Sequence, residues 1–481
     1  MAEPAAQTQE PMKSQQKCIA IFALLCCFAV LLALLFSTVD VWGDDEDGIT
    51  EENCNSQCRI VLVENIPEDL TLSVDGTNHV PLSTGLHSLL DQAKRSVEIV
   101  SPVWNLTLWV PKTSWPNSAQ QGELLFQRMT QLKSQNVKLK VASSLLGSVE
   151  LKKLAEHGAE HGYVNMSALT KGGLHSNFWV VDRSHVYIGS GSMDWRSLSK
   201  RKELGVIIYN CSCLAIDLHR VFSFYWQLQH RDYIPSIWSK RVTAIYSRDS
   251  PAYLLLNHTE ATVYVATSPE LFCPKHRAMD IDAIQDVIQE AKSFIYISVT
   301  DYLPLLIKTT TGSLVSRYWS SIDEMIREAV VLRGVKVRML ISYWKQTNPL
   351  TFTFIMSLKS LCLNMANCSL EAKFFSSSEQ MDDSQPVLNH NKYMVTDSAL
   401  YLGNHAWVGS EFAYNAGTGL VIKQKEASRE RRSTILDHVK AAFERDWHSH
   451  YAKTHHATNK TPDRNKYKHL RQPPVKMFKD K

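Results

Sequence analysis

An internal repeat limits the fold of this sequence more than any other feature. Six short blocks occur in the same order in two halves of the chain, and the histidines that open the second block of each half are 215 residues apart. Shared order over six blocks is hard to obtain by chance and indicates a duplicated structural unit. The blocks of the first half are residues 136–141, 175–182, 186–190, 194–195, 203–208 and 222–226. Those of the second half are residues 334–341, 390–397, 400–403, 407, 417–422 and 443–447.

The repeated blocks and the segments between them place the chain in the α/β class. Residues 136–141 and 334–341 have the apolar pattern of strands, and helical patterns lie at 88–95, 124–135 and 281–292. Strands that alternate with helices predict an α/β fold with largely buried sheets. We expect a first lobe at 61–245 and a second lobe at 246–450. A polar stretch at 376–385 predicts a loop before the second histidine.

Composition and charge exclude several classes of protein. Apolar residues make up 44% of the chain and charged residues 21%, which excludes a mostly disordered, collagen-like or coiled-coil protein. The net charge of +4 hides a basic tail, because residues 451–481 hold nine lysines or arginines and only two acids. We expect this tail to be disordered. The rest of the chain sums to −3, so any polyanion must be held by a local site.

Residues 18–39 form an uncharged apolar segment that predicts one transmembrane helix. Its 22 residues would span about 30 Å, the hydrocarbon thickness of a bilayer. A cleaved signal peptide is the alternative, but the run is long for one and no small-x-small cleavage site follows it. Lysines precede the segment and acids follow it, which favours a cytosolic N-terminus at 1–17 and a linker at 40–60. The body would then be lumenal or extracellular, in the endoplasmic reticulum, the endolysosome or at the cell surface.

The cysteines and sequons agree with this compartment. Cys54 and Cys58, with Cys211 and Cys213, have spacings that fit either a four-thiolate zinc site or two disulfides. Six Asn-x-Ser/Thr sequons lie in the body, at Asn105, Asn165, Asn210, Asn257, Asn367 and Asn459. An oxidising lumen favours disulfides over zinc. Seven cysteines outside the span is an odd number, so at least one thiol is free or pairs with another chain.

The second histidine block carries the most specific chemical signature. His390, Lys392 and Asp397 form the pattern His-x-Lys-x4-Asp (HKD), which resembles the signature of the phospholipase D superfamily. Residues 389–397 and 202–213 resemble the vertebrate type II membrane branch, whose lysosomal members are described as single-strand 5′ exonucleases. Residues 14–18 and 44–48 are similar to an inactive member of that branch. The resemblance covers residues 14–455.

The resemblance implies two phospholipase-D-like α/β/α lobes around a pseudo-twofold cleft. One histidine of the pair His175 and His390 would attack phosphorus and form a phosphohistidine, while the other protonates the leaving oxygen and then activates water. Lys392 would hold the non-bridging oxygens as their negative charge shifts. We expect no cofactor and no metal.

Further site residues follow from the same resemblance. Asp182 and Asp397 would either orient the imidazoles or pair within their own loops, and Glu203 is a retained acid. The resemblance also implies that the segment with Cys54 and Cys58 is tied to the segment with Cys211 and Cys213.

Several positions depart from the family pattern. The first lysine position is Asn177, and the asparagine positions after the two HKD blocks are Ser192 and Ala406. The acid expected near residues 413–416 is absent, with Tyr414 in that range. Loss of one positioned cation or donor typically costs roughly 10²–10³ in rate. The pattern therefore predicts a degenerate site.

We expect a degenerate, single-pass type II membrane glycoprotein with little or no phosphodiesterase activity. One alternative is an active phosphodiesterase or single-strand exonuclease that uses His175 and His390. Another is a non-catalytic module that binds a phosphate-bearing ligand or a protein in the former catalytic cleft. The expected partners are the membrane, through one helix, and a nucleic acid or phospholipid in the cleft, with a homodimer as a further alternative.

Overall fold

A computed structural model describes residues 19–31, 48–72, 79–108, 117–229, 231–235, 240–310, 313–377, 387–424 and 433–454. Helices and strands alternate along the chain, and eighteen strands join in one sheet, so the predicted α/β class is confirmed. The helices are α1 (19–31), α2 (Leu82–Gln92), α3 (Gln120–Thr130), α4 (Val149–Glu156), α5 (Met166–Leu169), α6 (Ser212–Gln227), α7 (Asp280–Glu290), α8 (Asp323–Val331), α9 (Pro349–Ser360), α10 (Gly409–Tyr414) and α11 (Ile435–His448).

Among the described residues, ten strands lie in the first half of the chain and fourteen in the second. Those of the first half are β1 (Gln57–Asn65), β2 (Val80–Pro81), β3 (Ser96–Val100), β4 (Trp104–Asn105), β5 (Lys138–Ser143), β6 (Glu160–Tyr163), β7 (Phe178–Val181), β8 (His185–Gly189), β9 (Met193–Asp194) and β10 (Glu203–Tyr209). Those of the second half are β11 (Ala252–Leu256), β12 (Thr259–Ser268), β13 (Ala278–Met279), β14 (Phe294–Val299), β15 (Tyr302–Leu303), β16 (Leu305–Thr310), β17 (Ser313–Tyr318), β18 (Lys336–Ser342), β19 (Leu370–Phe375), β20 (Tyr393–Thr396), β21 (Ala399–Leu402), β22 (Trp407–Val408), β23 (Gly417–Lys423) and β24 (Ala452–Lys453).

The two halves of the chain repeat one strand order. Neighbouring strands run β6–β5–β3–β7–β8–β10–β1 in the first half and β19–β18–β14–β20–β21–β23–β12 in the second. In each half the first two pairings are parallel and the remaining four are antiparallel. The halves join where β1 runs parallel to β11, with Gln57 beside Leu255. Matching blocks of the sequence therefore occupy matching strands, except for the last block of each half, which lies on a helix.

The hydrophobic core between the two halves explains the last block of the repeat. Phe222 and Trp226 on α6, and Phe443 and Trp447 on α11, are spaced four residues apart and so lie on one face of each helix. The aromatic rings of each pair stack, with centroids 5.4 Å and 5.6 Å apart. Buried residues from strands of both halves surround them in one cluster. Two further cores cover the outer faces, one under α2, α3 and α4 and the other under α7, α8 and α9.

The predicted helices are present, with shifted ends. The helix expected at 88–95 is α2, which starts six residues earlier because Leu82, Leu86 and Leu89 lie at helical spacing and are all buried. The helix expected at 124–135 is α3 followed by a 3-10 turn at Leu132–Gln135. The helix expected at 281–292 is α7.

Disulfides link the N-terminal segment to the first half of the sheet. Cys54 is bonded to Cys213 and Cys58 to Cys211, so the disulfide alternative is confirmed over the zinc site. A third bond joins Cys362 to Cys368 across a short loop. The Cys273 thiol remains free, in agreement with the odd count.

Several predicted segments lie partly or wholly outside the described residues. Of the predicted span at 18–39, the structure describes α1. None of the helices it describes combines the length and apolarity needed to cross a membrane. Residues 1–17, most of the predicted loop at 376–385 and residues 455–481 fall outside the described ranges. The first residues of the tail that was predicted to be disordered are ordered, because β24 pairs with β19 and Tyr451 is buried.

Candidate functional site

Each histidine block is held by the opposite half of the chain. The backbone N–H of His175 donates to the carbonyl of Ala416 at 2.7 Å, and that of His390 donates to the carbonyl of Lys202 at 2.9 Å. Ala416 directly precedes β23, and Lys202 directly precedes β10. Because β23 and β10 hold the same place in the strand order, the two contacts are equivalent. The crossing brings both histidine blocks to the junction of the two halves.

A buried ionic network fixes the segment that receives His390. The Lys202 ammonium is fully buried and lies 3.0 Å from Glu64 Oε1 and 2.8 Å from Asp446 Oδ2. Arg445 also contacts both carboxylates. Although burial opposes the shift, Lys202 and Arg445 lower the pKa of Glu64 to about 2. Breaking such a buried pair leaves an uncompensated charge, so this part of the site is rigidly positioned.

The half-site around His390 keeps its lysine and its orienting acid. Its Nδ1 lies 3.0 Å from both carboxylate oxygens of Glu203, which is fully buried and accepts a further bond from Ser197 Oγ at 2.8 Å. Donation from Nδ1–H to Glu203 leaves the Nε2 lone pair free to act, and Lys392 Nζ lies 3.2 Å from Nε2. Burial lowers the pKa of His390; Glu203 opposes this shift and Lys392 adds to it. Burial also lowers the pKa of Lys392. An imidazole, its orienting carboxylate and an ammonium group thus converge.

The half-site around His175 lacks the corresponding cation. Asn177 stands in the lysine position and is only 2% exposed. Its amide Nδ2 donates to the carbonyls of Gly189 and Gly191 at 3.0 and 2.8 Å, and its backbone N–H donates to Asn404 Oδ1 at 3.1 Å. Asn177 is therefore a structural link between the strand ends and brings no charge to the half-site.

The same half-site also lacks the orienting acid. Since Lys202 and Ala416 are equivalent, the position that matches Glu203 is Gly417. A Cβ atom at Gly417 would lie 2.1 Å from His405 Nε2, so the His405 ring occupies the room that a side chain at 417 would need. His405 is buried, and its Nε2 is 2.7 Å from Ser268 Oγ.

A different carboxylate approaches His175, and the sequence analysis did not identify it. Glu411 on α10 places Oε2 at 3.8 Å from His175 Nδ1 and 3.4 Å from His405 Nδ1, and accepts from the backbone N–H of Ala406 at 2.9 Å. Although burial opposes it, contact with His175 and His405 holds the pKa of Glu411 well below its usual range. The range 413–416 does lack an acid, but Glu411 lies two residues before it. No sequence motif marks Glu411, which reaches His175 from α10.

The two aspartates of the HKD blocks do not orient the imidazoles. Asp182 accepts hydrogen bonds from the backbone N–H groups of residues 94–96 at 2.7 to 2.8 Å. Asp397 accepts equivalent bonds from Lys292 and Ser293 at 3.0 and 2.9 Å. Each aspartate thus closes the turn that leads from a helix into the central strand of its half. Of the two roles left open by the sequence, the structure shows the local one.

The site lacks the side-chain amides of the family's asparagines, because Ser192 and Ala406 stand in those positions. Ser192 is buried, and its Oγ lies 3.3 Å from Ser197 Oγ, which in turn bonds Glu203. Ala406 is buried and contributes only its backbone N–H. Asn404, which the sequence analysis passed over, instead bridges the halves by donating from Nδ2 to the Gly189 carbonyl at 3.1 Å.

Asp301 is a second acid that the sequence analysis missed. It follows β14. Burial, and next the nearby Glu411, raise the pKa of its carboxyl to about 7, whereas Trp344 and Lys392 oppose the shift. Its Oδ1 accepts no hydrogen bond. The signal for it is its place at the end of a parallel strand, where polar side chains collect.

One set of three side chains among the described residues has the composition and spacing of a metal site: His175, His405 and Glu411. No metal site was expected from the sequence. The set lies in the half-site that has lost its lysine and its acid.

Comparisons with known proteins agree with the resemblance drawn from the sequence. The family described as "PLD3/4, PLD-like domain" matches residues 74–380. "Inactive phospholipase D5" of Mus musculus is 52% identical over 450 residues, which cover 92% of this chain and 82% of the relative. "5'-3' exonuclease PLD3" of Xenopus laevis is 40% identical over 444 residues, which cover 90% of this chain and 89% of the relative.

A solved structure supports the fold. The phosphatidylserine synthase of Haemophilus influenzae Rd KW20 aligns with a TM-score of 0.52 over 82% of this chain and 87% of that chain. At 13% sequence identity, this likeness bears on the fold alone.

Proposed function

The chain belongs to the PLD3/4-type family of phospholipase-D-like proteins, and on this premise we propose that it is a degenerate member with little or no phosphodiesterase activity. The observation that carries the proposal is the asymmetry between the half-sites. His390 keeps its lysine and its carboxylate, whereas His175 has Asn177 and Gly417 in the corresponding places.

Two-step phosphoryl transfer through a phosphohistidine needs both half-sites. One imidazole attacks and the other must protonate the leaving oxygen and later activate water. Without a cation beside His175, negative charge on the phosphate oxygens is balanced by Lys392 alone. Each lost charge or orienting group costs roughly 10²–10³ in rate, and two together could remove roughly 10⁴, although groups that act as a unit do not add simply.

The names of the relatives support a degenerate member over an active enzyme. The relative that is 52% identical is called inactive, whereas the relatives at about 40% identity are called exonucleases. The second candidate function is therefore a lumenal phosphodiesterase or single-strand exonuclease that uses His175 and His390. The retained Glu203 and Lys392 beside His390 favour it. A third is a non-catalytic module in which Lys392 holds a phosphate-bearing ligand, either nucleic acid or phospholipid, in the cleft.

A nuclease assay separates these functions. Purified full-length chain would be incubated with 3′-labelled single-stranded DNA, with 5′ ends phosphorylated or free, at acidic and neutral pH. We expect no turnover above that of His390→Ala, while the PLD3 exonuclease cleaves in parallel. DNA binding that needs Lys392, without cleavage, would favour the third function. His390-dependent cleavage at the rate of PLD3 would refute the proposal.

We also propose that the chain is a single-pass type II membrane glycoprotein anchored by residues 18–39. The apolar side chains of α1 support this proposal, since Ile19 and Phe22 are 68% and 71% exposed and need a nonpolar environment. The disulfides fit an oxidising compartment, and the sequons at Asn210 and Asn367 are exposed. N-glycosidase should lower the apparent mass of the membrane-bound protein, and an unchanged mass would place the body in the cytosol.

The repeated strand order supports a further proposal on architecture. We propose two related lobes, at 61–245 and 246–450, that face each other across a pseudo-twofold cleft. The equivalent crossings at Ala416 and Lys202 would lie on either side of its axis.

A further inference from the structure

The half-site that lost its lysine places two side chains that the family chemistry does not use, His405 and Glu411, beside the family histidine His175. His175, His405 and Glu411 each offer one ligand atom, and the three atoms lie within 4.8 Å of one another. Glu411 Oε2 is 3.8 Å from His175 Nδ1 and 3.4 Å from His405 Nδ1. Two ligands of a tetrahedral zinc ion, with bonds of about 2.0–2.1 Å, lie ~3.4 Å apart. The spacing is therefore close to that of a zinc site before the ion enters.

An unpaired buried nitrogen points into this set. The His405 side chain is fully buried, and its Nδ1 makes no hydrogen bond, with Glu411 Oε2 as its neighbour at 3.4 Å. Its other nitrogen, Nε2, is fixed by Ser268 Oγ at 2.7 Å. When Nε2–H donates to Ser268, Nδ1 faces the Glu411 carboxylate either with a lone pair, which is repulsive, or with a proton, and a metal ion bound by both groups would take the place of that proton. Histidine ligands of metals commonly donate their second N–H to such an outer partner.

The remaining contacts are compatible with an ion. The backbone N–H of Ala406 donates to Glu411 Oε2 at 2.9 Å and would orient the carboxylate as an outer partner does. Asn415 Nδ2 lies 3.3 Å from His175 Nδ1 and would give way, while Asn415 Oδ1 keeps its bond from the Gly173 N–H at 2.9 Å.

We propose that His175, His405 and Glu411 bind one divalent cation, and that zinc fits this site best. Two imidazole nitrogens and one carboxylate oxygen are a zinc ligand set, and three protein ligands leave the fourth position open to water or to a phosphate oxygen. The ion would return positive charge to the half-site where Asn177 carries none. It would also occupy Nδ1 of His175, the nitrogen through which the family's carboxylate would otherwise orient that ring.

Zinc affinity of the full-length chain tests the proposal. The protein, purified in detergent and stripped with a chelator, would be titrated with Zn²⁺ against a chromogenic chelator, and bound metal counted by mass spectrometry. We expect one zinc per chain. Glu411→Gln and His405→Gln should each weaken binding at least about 100-fold, the upper end of the loss when only an outer partner is removed. Cobalt should give the absorption of a tetrahedral ion in the wild type and not in Glu411→Gln.

His390→Gln is the matched control, because it changes a histidine of the intact half-site and leaves the three ligands in place. Its zinc affinity should equal that of the wild type. Circular dichroism would verify folding. If the buried His405→Gln does not fold, Glu411→Gln decides, since the Glu411 side chain is a quarter exposed. A folded wild type that binds no zinc, or zinc that both variants retain, would overturn the proposal, and neither result depends on nuclease activity.

Discussion

The Asp301 carboxyl should make stability fall as the pH rises from acidic to neutral. Burial, and next the negative Glu411, raise the pKa of Asp301 from 3.8 to about 7 in the folded protein. Between these two values the unfolded chain has already lost the proton that the folded chain keeps. The contribution to stability is therefore complete below about pH 4 and is lost as the pH rises through about 7. A shift of about three pKa units corresponds to about 4 kcal/mol as an upper bound.

Asp301→Asn isolates this effect. The amide has nearly the same shape and does not titrate, so the variant should gain stability relative to the wild type, by up to about 4 kcal/mol, between pH 4.5 and 7.5. Urea unfolding of both proteins at three pH values, with the disulfides intact, measures the difference. Asp249→Asn, at an 85% exposed side chain, is the control and should show no comparable trend. Parallel pH profiles for wild type and Asp301→Asn, or a relative gain by the wild type toward pH 7.5, would refute the reasoning.

Three other outcomes follow from the contacts described above. Asn177→Ala should lower the free energy of unfolding by about 1–3 kcal/mol in urea titrations, because two hydrogen bonds of about 0.5–1.5 kcal/mol each are lost, although the Gly189 and Gly191 carbonyls keep the donors Asn404 and Tyr187; a neutral effect would contradict the structural role. Glu203→Gln should lower the pKa of His390 further, because the carboxylate that favours its imidazolium is removed; histidine NMR titration measures this pKa, and a rise would contradict the prediction. Removing both the Cys54–Cys213 and the Cys58–Cys211 bonds, with serine at all four positions, should cost about 3–5 kcal/mol, since the two bonds, with sequence separations of 159 and 153, close the same long loop; an unchanged urea midpoint would contradict this.

The parts of the fold that were predicted are those encoded by local patterns. The repeat in the sequence became the repeated strand order because each block except the last contains residues of one strand, while the last block of each half lies on α6 or α11. The ends of α2 were placed less well, since the helix begins at Leu82, whose contribution depends on burial against the sheet. Strand and helix periodicity is local, whereas the point at which packing extends a helix is set by tertiary contacts.

The site was predicted as far as its histidines and the loss at Asn177. The sequence could not show that the His405 ring fills the space that a side chain at position 417 would need. The two residues lie in different parts of the chain and meet only after folding. The same holds for Glu411, which reaches His175 from α10 and replaces no residue of the motif. A sequence motif marks positions whose role is shared within a family. Glu411 contacts His175 from outside the motif, so no motif identifies it.

The central claim is that activity was lost through the His175 half-site, and repair of that half-site tests it most directly. The other half provides the template, so the repaired chain carries Asn177→Lys, Gly417→Glu and His405→Gly, the last because a side chain at 417 needs the room that His405 now fills. Ser192→Asn and Ala406→Asn restore the two lost asparagines in the same chain. The measurement is the initial rate of single-stranded DNA cleavage by wild type and repaired chain, with His390→Ala in both as the control. We expect no His390-dependent rate in the wild type and a clear one in the repaired chain. A wild type that already cleaves at the rate of the PLD3 exonuclease, or a folded repaired chain that stays silent, would contradict the account.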